Sequence, residues 1–280
     1  MRPICRSAVC RAMGYEHLME TPPRRSALIT GSTGGLGYAI AESLAGAGCD
    51  IVLHGIDDPA KVEPARIGLQ TRYGGTVAYC RADLSGLAGV ERLMTFARKS
   101  CGGPDIVVNN AVVRHFASIE QFSVADWQHS LDVNLTAPFH IIRLALPGMR
   151  AADFGRIVNL SSHYGQRGAR GRVDYVTTKT AILGLTRAVA LETVGTGITC
   201  NAVSPGTLPT PAIINRIEAL AAARGVSREE ATRDYMRERQ PSGRFVHLED
   251  VGATVAFLCS PAARDITGTV IPIDGGWSAA

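Results

Sequence analysis

From Ser26 onward, short aliphatic and β-branched runs alternate with longer segments whose apolar residues recur at helical spacing. No other feature of the chain narrows its fold so far. The runs are Ala27–Thr30, Asp50–His54, Thr76–Cys80, Asp105–Asn109, Gly155–Leu160, Ile198–Val203 and Thr269–Ile273. Between them, Gly35–Ala47, Leu87–Cys101, Val124–Ala151 and Val173–Val194 follow the helical period. Runs that are apolar along their whole length suit strands covered on both faces, which is the condition of a parallel sheet with helical crossovers. The expectation is an α/β fold: one doubly wound sheet of seven parallel strands with helices on both faces.

The rest of the chain is consistent with one domain. A length of 280 residues, 46% apolar and 19% charged, supports a sizeable core and a soluble surface. The net charge of +4 is small, and much of the excess lies in the first 25 residues, which argues against nucleic acid as a partner. No apolar run is long enough to span a membrane, so no membrane partner is expected. The seven cysteines form no C-x-x-C pair and no metal-ligand spacing. Free thiols in a reducing compartment, the cytoplasm, are expected, and no metal. Residues 1–25 read as a disordered extension, with Arg2, Arg6 and Arg11 faintly resembling an organelle transit peptide. The domain then covers 26–280. Within it, about 207–247 breaks the alternation with a long polar helical stretch that suits either a lid or a solvated surface helix.

Two stretches carry chemistry. The first run ends in Thr30-Gly-Ser-Thr-Gly-Gly-Leu-Gly37, ahead of a helical segment. Glycines at that junction permit a tight turn and close approach of the backbone to a pyrophosphate, while the helix N-terminus offers unpaired N–H groups. The second stretch runs from Ser161 to Lys179. Tyr175 and Lys179 are four residues apart and share a helix face. A phenol ordinarily titrates near 10, too high for a base at neutral pH, and a neighbouring ammonium lowers it into a usable range. Ser162 can present a hydroxyl to the same reacting oxygen.

These motifs together resemble the short-chain dehydrogenase/reductase family, from about Arg25 to the C-terminus. The glycine loop Thr30–Gly37, Asn109-Asn110-Ala111, Asn134, Ser162, Tyr175, Lys179 and Pro205-Gly206 occur in the family's order and spacing, although Val112 stands where a glycine is usual. The resemblance implies a Rossmann-type fold and a nicotinamide dinucleotide held by Gly31, Thr33, Gly35, Leu36, Gly37, Asp83, Leu84, Asn109, Ala111, Pro205, Gly206 and Thr210, with Tyr175 and Lys179. It implies that Tyr175 passes a proton to or from the substrate oxygen and that Ser162 hydrogen-bonds that oxygen. Lys179 would tune the tyrosine and bond the nicotinamide ribose, and Asn134 would hold a water linking the lysine to solvent. It also implies a homotetramer, with Ala181, Leu183, Leu185 and Ala188 facing either the partner or the sheet. Asp83 as a turn cap, Asn134 as a helix bend and Thr210 as an N-cap are the structural alternatives.

The segment Leu53-His-Gly-Ile-Asp-Asp58 offers acids and no arginine at the end of the second run, so NAD is expected over NADP, with His54 the sole conceivable partner for a 2′-phosphate. Within the family the chain is most similar to the bacterial D-3-hydroxybutyrate dehydrogenase branch, from Ile51-Val-Leu to Asp274-Gly-Gly-Trp277. Four positions that the resemblance places around a carboxylate differ: Arg114, Tyr164, Arg172 and Arg216, three of them arginine. A guanidinium is a two-pronged donor for carboxylate or phosphate. The expected function is an NAD-dependent oxidoreductase interconverting a secondary alcohol and a ketone, on an acidic hydroxy or keto acid related to 3-hydroxybutyrate. An NADP-dependent 3-oxoacyl reductase and a catalytically silent dinucleotide sensor are the competing readings.

Overall fold

The structure, a computed structural model, describes residues 24–237 and 239–279. The expected extension falls mostly outside the described residues. Its last two positions are anchored: Arg24 reaches the Asp50 carboxylate at 3.2 Å, and Arg25 pairs with Asp105 at 3.3 Å while lying over the Phe154 ring.

The strands are β1 (Ser26–Ile29), β2 (Asp50–Gly55), β3 (Val77–Arg81), β4 (Ile106–Asn109), β5 (Gly155–Leu160), β6 (Ile198–Pro205) and β7 (Val270–Ile273). They form one parallel sheet in the order β3-β2-β1-β4-β5-β6-β7. The helices are α1 (Gly35–Gly46), α2 (Pro59–Tyr73), α3 (Leu87–Cys101), α4 (Val124–Leu131), α5 (Ala137–Ala151), α6 (Val173–Glu192), α7 (Pro211–Arg224), α8 (Arg228–Arg237) and α9 (Leu248–Cys259).

Each inner strand feeds two cores because successive side chains point to opposite faces. Ala27 and Ile29 of β1, Ile51 and Leu53 of β2, and Ile106 and Val108 of β4 pack beneath α1, α2 and α9 with Ile40, Leu44, Val251 and Val255. Leu28, Val52 and Val107 lie between them in sequence and pack on the other face with Leu93, Met94, Ile141 and Ile142 of α3 and α5. This is the physical meaning of runs apolar at every position. Chain order reverses direction across the sheet between β1 and β4, which opens a crevice at the C-terminal strand ends.

Two details differ from the sequence reading, and a third falls on one side of an alternative it left open. Val124–Ala151 is two helices joined by a π-turn over Asp132–Thr136, which contains Asn134. The stretch over 207–247 is likewise two helices, because Gly225 ends α7 in a left-handed conformation (φ +62°). Its ion pairs cross between helices, Arg224 with Asp234 and Arg228 with Glu218. On α6, Leu183 faces the sheet and joins Ile182 and Ala202, which leaves no continuous apolar outer run.

Helices α7 and α8 share a small core of their own, Ile217, Ala221, Ala231, Tyr235 and Met236, separate from the two under the sheet. Truncating it should loosen these two helices alone, since local opening follows local contact density. For Met236→Ala we expect amide exchange to accelerate by about tenfold or more in 211–237. Exchange in β1, β4 and β5 should be unchanged, which hydrogen-exchange mass spectrometry would check.

Candidate active site

The crevice at the β1/β4 switch is a cleft of about 770 Å³. It is walled by the glycine loop, the 110–116 segment after β4, the 160–172 segment after β5, the 205–216 segment running into α7 and Trp277. The glycine loop is shaped by contacts that exclude side chains. Gly31 has φ +62°, and a Cβ there would come within 2.9 Å of the Ala111 backbone. A Cβ on Gly37 would strike the Gly31 carbonyl. Helix α1 begins after Gly34 with no side-chain cap and no acid in its first turn, so its N–H groups face the cleft available to an anion.

Asn110 fastens this loop to β4. Its side-chain amide donates to the carbonyls of Thr30 (2.9 Å) and Gly31 (2.8 Å), and the Thr30 hydroxyl accepts from the Asn110 and Ala111 N–H groups. His54 is spent on the same junction. Its Nδ1 accepts from the Gly31 N–H and its Nε2 bonds the Ala82 carbonyl, and burial lowers its pKa to about 4. Asp57 accepts from the Thr33 hydroxyl at 2.7 Å. The end of β2 therefore presents a carboxylate, while the one histidine considered for a 2′-phosphate is neutral and enclosed.

Tyr175, 6% exposed, opens α6 above β5 and β6. Lys179 lies one turn on, its ammonium donating to the Leu160 carbonyl and standing 5.8 Å from the tyrosine ring centre. Burial, reinforced by the charge of Arg114, lowers the lysine pKa to about 7. Ser162 Oγ accepts from the Tyr164 N–H and stands 3.5 Å from His163 Nδ1. Two guanidinium groups flank the tyrosine: Arg114 sits 5.1 Å and Arg172 5.0 Å from its ring centre. Arg172 is also stacked on Phe116 at 4.3 Å, and its buried Nε has no partner. Burial, then the like charge of Arg114, lowers its pKa. Tyr164 stands edge-on to Tyr175 at 6.3 Å.

The cleft thus brings together Gly31, Gly35, Leu36, Gly37, Ala111, Ser162, Tyr175, Lys179, Pro205, Gly206 and Thr210, and with them Arg114, Tyr164, Arg172 and Arg216. Other expected site residues lie outside its wall. Thr33 is held by Asp57, and Leu84 is buried in the core beneath β3. The Asp83 carboxylate accepts from the Ser85 N–H, the turn-capping alternative. The Asn109 side chain turns into the sheet, where its amide donates to Asn159, so Asn110 and Ala111 carry that motif to the cleft. Asn134 uses both side-chain atoms on the Val113 backbone, at 2.9 and 3.0 Å, and contacts Thr178. It clamps the segment that carries Arg114. Thr210 occupies the N-cap position of α7, yet its hydroxyl caps nothing.

Sequence reasoning missed four residues. His163 stacks on Trp277 with ring centres 3.8 Å apart, and burial lowers its pKa to about 4. Phe116, 71% exposed, forms a shelf for Arg172. Asp174 is fully buried and accepts from the Ser130 hydroxyl (2.7 Å) and the His115 N–H (3.1 Å), tying α6 to α4 and to the segment after β4. An acid directly before Tyr175 was the available signal for it. Trp277 stands within the terminal Asp-Gly-Gly-Trp already noted, but only the fold brings it to His163.

Comparison with known proteins agrees with this geometry. A family model described as enoyl-(acyl carrier protein) reductase matches residues 31–278. A D-beta-hydroxybutyrate dehydrogenase of Cupriavidus necator is 43% identical over 91% of this chain and 98% of its own. One from Rhizobium meliloti is 38% identical over 91% and 99%. Among solved structures, L-sorbose reductase of Gluconobacter frateurii, complexed with NADPH and L-sorbose, superposes with a TM-score of 0.86 at 29% identity, covering 92% of this chain and 97% of its own.

Lys179 holds its proton less tightly when folded than at its ordinary value of 10.5. The unfolded chain then binds more protons than the folded one above about 7, so stability rises with pH there. Toward 9 the thiols of Cys200 and Cys259, raised by burial to about 12, begin to act in the opposite sense. For the cofactor-free protein we expect the urea midpoint to rise between about pH 7 and 8.5 and Lys179→Met to flatten that rise.

Proposed function

Because the chain belongs to the short-chain dehydrogenase/reductase family, and so is an NAD(P)-dependent oxidoreductase interconverting secondary alcohols and ketones, we propose that it is NAD-linked and acts on an acidic hydroxy or keto acid related to 3-hydroxybutyrate. One observation carries the substrate class. Two arginines flank Tyr175, and no Asp or Glu stands among the described residues of the cleft wall. A carboxylate beside the reacting carbon would neutralise that pair, with the planar guanidinium of Arg172 already oriented by Phe116.

The residues present suit a dinucleotide. Gly31 and Gly37 let the loop pack directly on Ala111 and on itself where a Cβ would clash, and the uncapped start of α1 suits a pyrophosphate. When bound, the cofactor supplies or accepts the hydride at its nicotinamide ring. The protein handles the proton. In reduction, the Tyr175 hydroxyl donates to the ketone oxygen as negative charge develops on it, and Ser162 donates a second hydrogen bond to that oxygen. Lys179 offers the tyrosine a cationic neighbour whose charge responds to pH near 7. In oxidation the same groups run in reverse. For the cofactor, Asp57 beside Thr33 favours a ribose diol and repels a 2′-phosphate, and both ring nitrogens of His54 are already bonded.

Three outcomes test this reading. Tyr175→Phe should lower kcat by about a thousandfold while NADH affinity changes little. Retained turnover would remove the tyrosine from the reaction. Arg172→Ala should raise KM for acetoacetate by about ten- to a hundredfold without a matching rise for a neutral methyl ketone. The wild type should turn over faster with NADH than with NADPH at equal concentration, and Asp57→Ser should narrow the gap. A preference for NADPH would overturn the cofactor assignment.

A further inference from the structure

The cleft carries more positive charge than one carboxylate and a pyrophosphate engage, and the excess comes from the 160–172 segment and the lid. Arg114 and Arg172 sit against Tyr175, where the reacting carbon must lie. Arg170 and Arg216 line the same cleft from the 160–172 segment and from the lid. None of these four has an acidic partner among the described residues. Arg239 also lines the wall, but it is occupied, lying 3.8 Å over the Tyr235 ring and donating to the Tyr235 carbonyl.

Arg216 stands apart from the other arginines of the lid. Arg224 and Arg237 pair with Asp234, and Arg228 pairs with Glu218. Arg216 shares helix α7 with two of those residues and pairs with no acid, although it is exposed. It lies on the face of α7 that carries Ala212 and Ile213, four and three residues earlier, and both of these line the cleft. That face looks onto the site and away from the acids that hold the lid together. The pyrophosphate is provided for by the start of α1. A carboxylate beside the reacting carbon is provided for by Arg114 and Arg172. An anion remains to be supplied for Arg216, with Arg170 as the second cation.

Resting on the acidic-substrate reading above, we propose that the substrate carries a second acidic group, and that Arg216 binds it. The substrate class is then a hydroxy or oxo dicarboxylic acid, its first carboxylate at Arg114 and Arg172 and its second at the lid. Binding of the second group would draw α7 onto the cleft, so the same contact that selects a dianion also closes the site over it.

The test compares matched pairs with NADH: 3-oxoglutarate with 3-oxopentanoate, 3-oxoadipate with 3-oxohexanoate, and 3-oxopimelate with 3-oxoheptanoate. In at least one pair the dicarboxylate should exceed the monocarboxylate in kcat/KM by about tenfold or more, the worth of one charge-assisted pair. Arg216→Ala should bring that ratio toward one, and Arg216→Lys should restore part of it. Binding gives an independent readout: adipate should perturb the fluorescence of the enzyme–NADH complex at lower concentration than hexanoate, and Arg216→Ala should abolish the difference. Equal or better use of the monocarboxylates overturns the second subsite and leaves the acidic-substrate reading standing. Failure of every acid, with neutral ketones reduced, overturns both. Weakened NADH binding in Arg216→Ala with the dianion preference intact assigns the arginine to the pyrophosphate and also overturns the proposal.

Discussion

Everything in this site depends on the fastening of β1 to β4 at the point where strand order reverses. Asn110 donates to two successive carbonyls of the glycine loop, and the Thr30 hydroxyl accepts from two successive N–H groups after β4. Four hydrogen bonds thereby satisfy backbone groups that the diverging strands leave without ladder partners. The bonds also bring Gly31 so close to Ala111 that a side chain cannot enter. The glycine loop and the segment after β4, eighty residues apart, become one continuous surface of the cleft.

The second organising feature is electrostatic. Lys179, Arg114 and Arg172 surround one phenol, and the charge of Arg114 raises the cost of charging both Lys179 and Arg172. Such an arrangement persists because the fold, not mutual attraction, holds it. Arg172 is stacked on Phe116, Lys179 is bonded to the Leu160 carbonyl, and the backbone beside Arg114 is clamped by Asn134 and Asp174. Cations held together without acids hold free energy that an arriving anion releases, so ligand charge is read at the site as affinity.

Much of the chemistry was legible in the text of the chain because it is local. The spacing of Tyr175 and Lys179 places them on one helix face whatever surrounds them, and a glycine-rich turn between a strand and a helix has few uses. The arginines at 114 and 172 were legible as charges of a certain shape. Their convergence on a single ring was not, since it requires β4 and β5 to be neighbours and their following segments to curl inward. Asn109 shows the opposite failure. The motif lies at the end of β4 as expected, but strand register turns the Asn109 side chain into the sheet toward Asn159 and leaves Asn110 to line the cleft.

Sequence alone determined the doubly wound sheet, since runs apolar on both faces cannot be buried otherwise. It determined the glycine loop and the Tyr175–Lys179 pair as well, because backbone sterics and helical period act over a few residues. Tertiary structure decided which way side chains at strand ends point and that His54 is enclosed and neutral. It also decided that Trp277 packs on His163, more than a hundred residues earlier, and that five arginines share a cleft wall without a carboxylate among the described residues. Those outcomes depend on strand order and on low-dielectric burial, and both exist only once the sheet has formed.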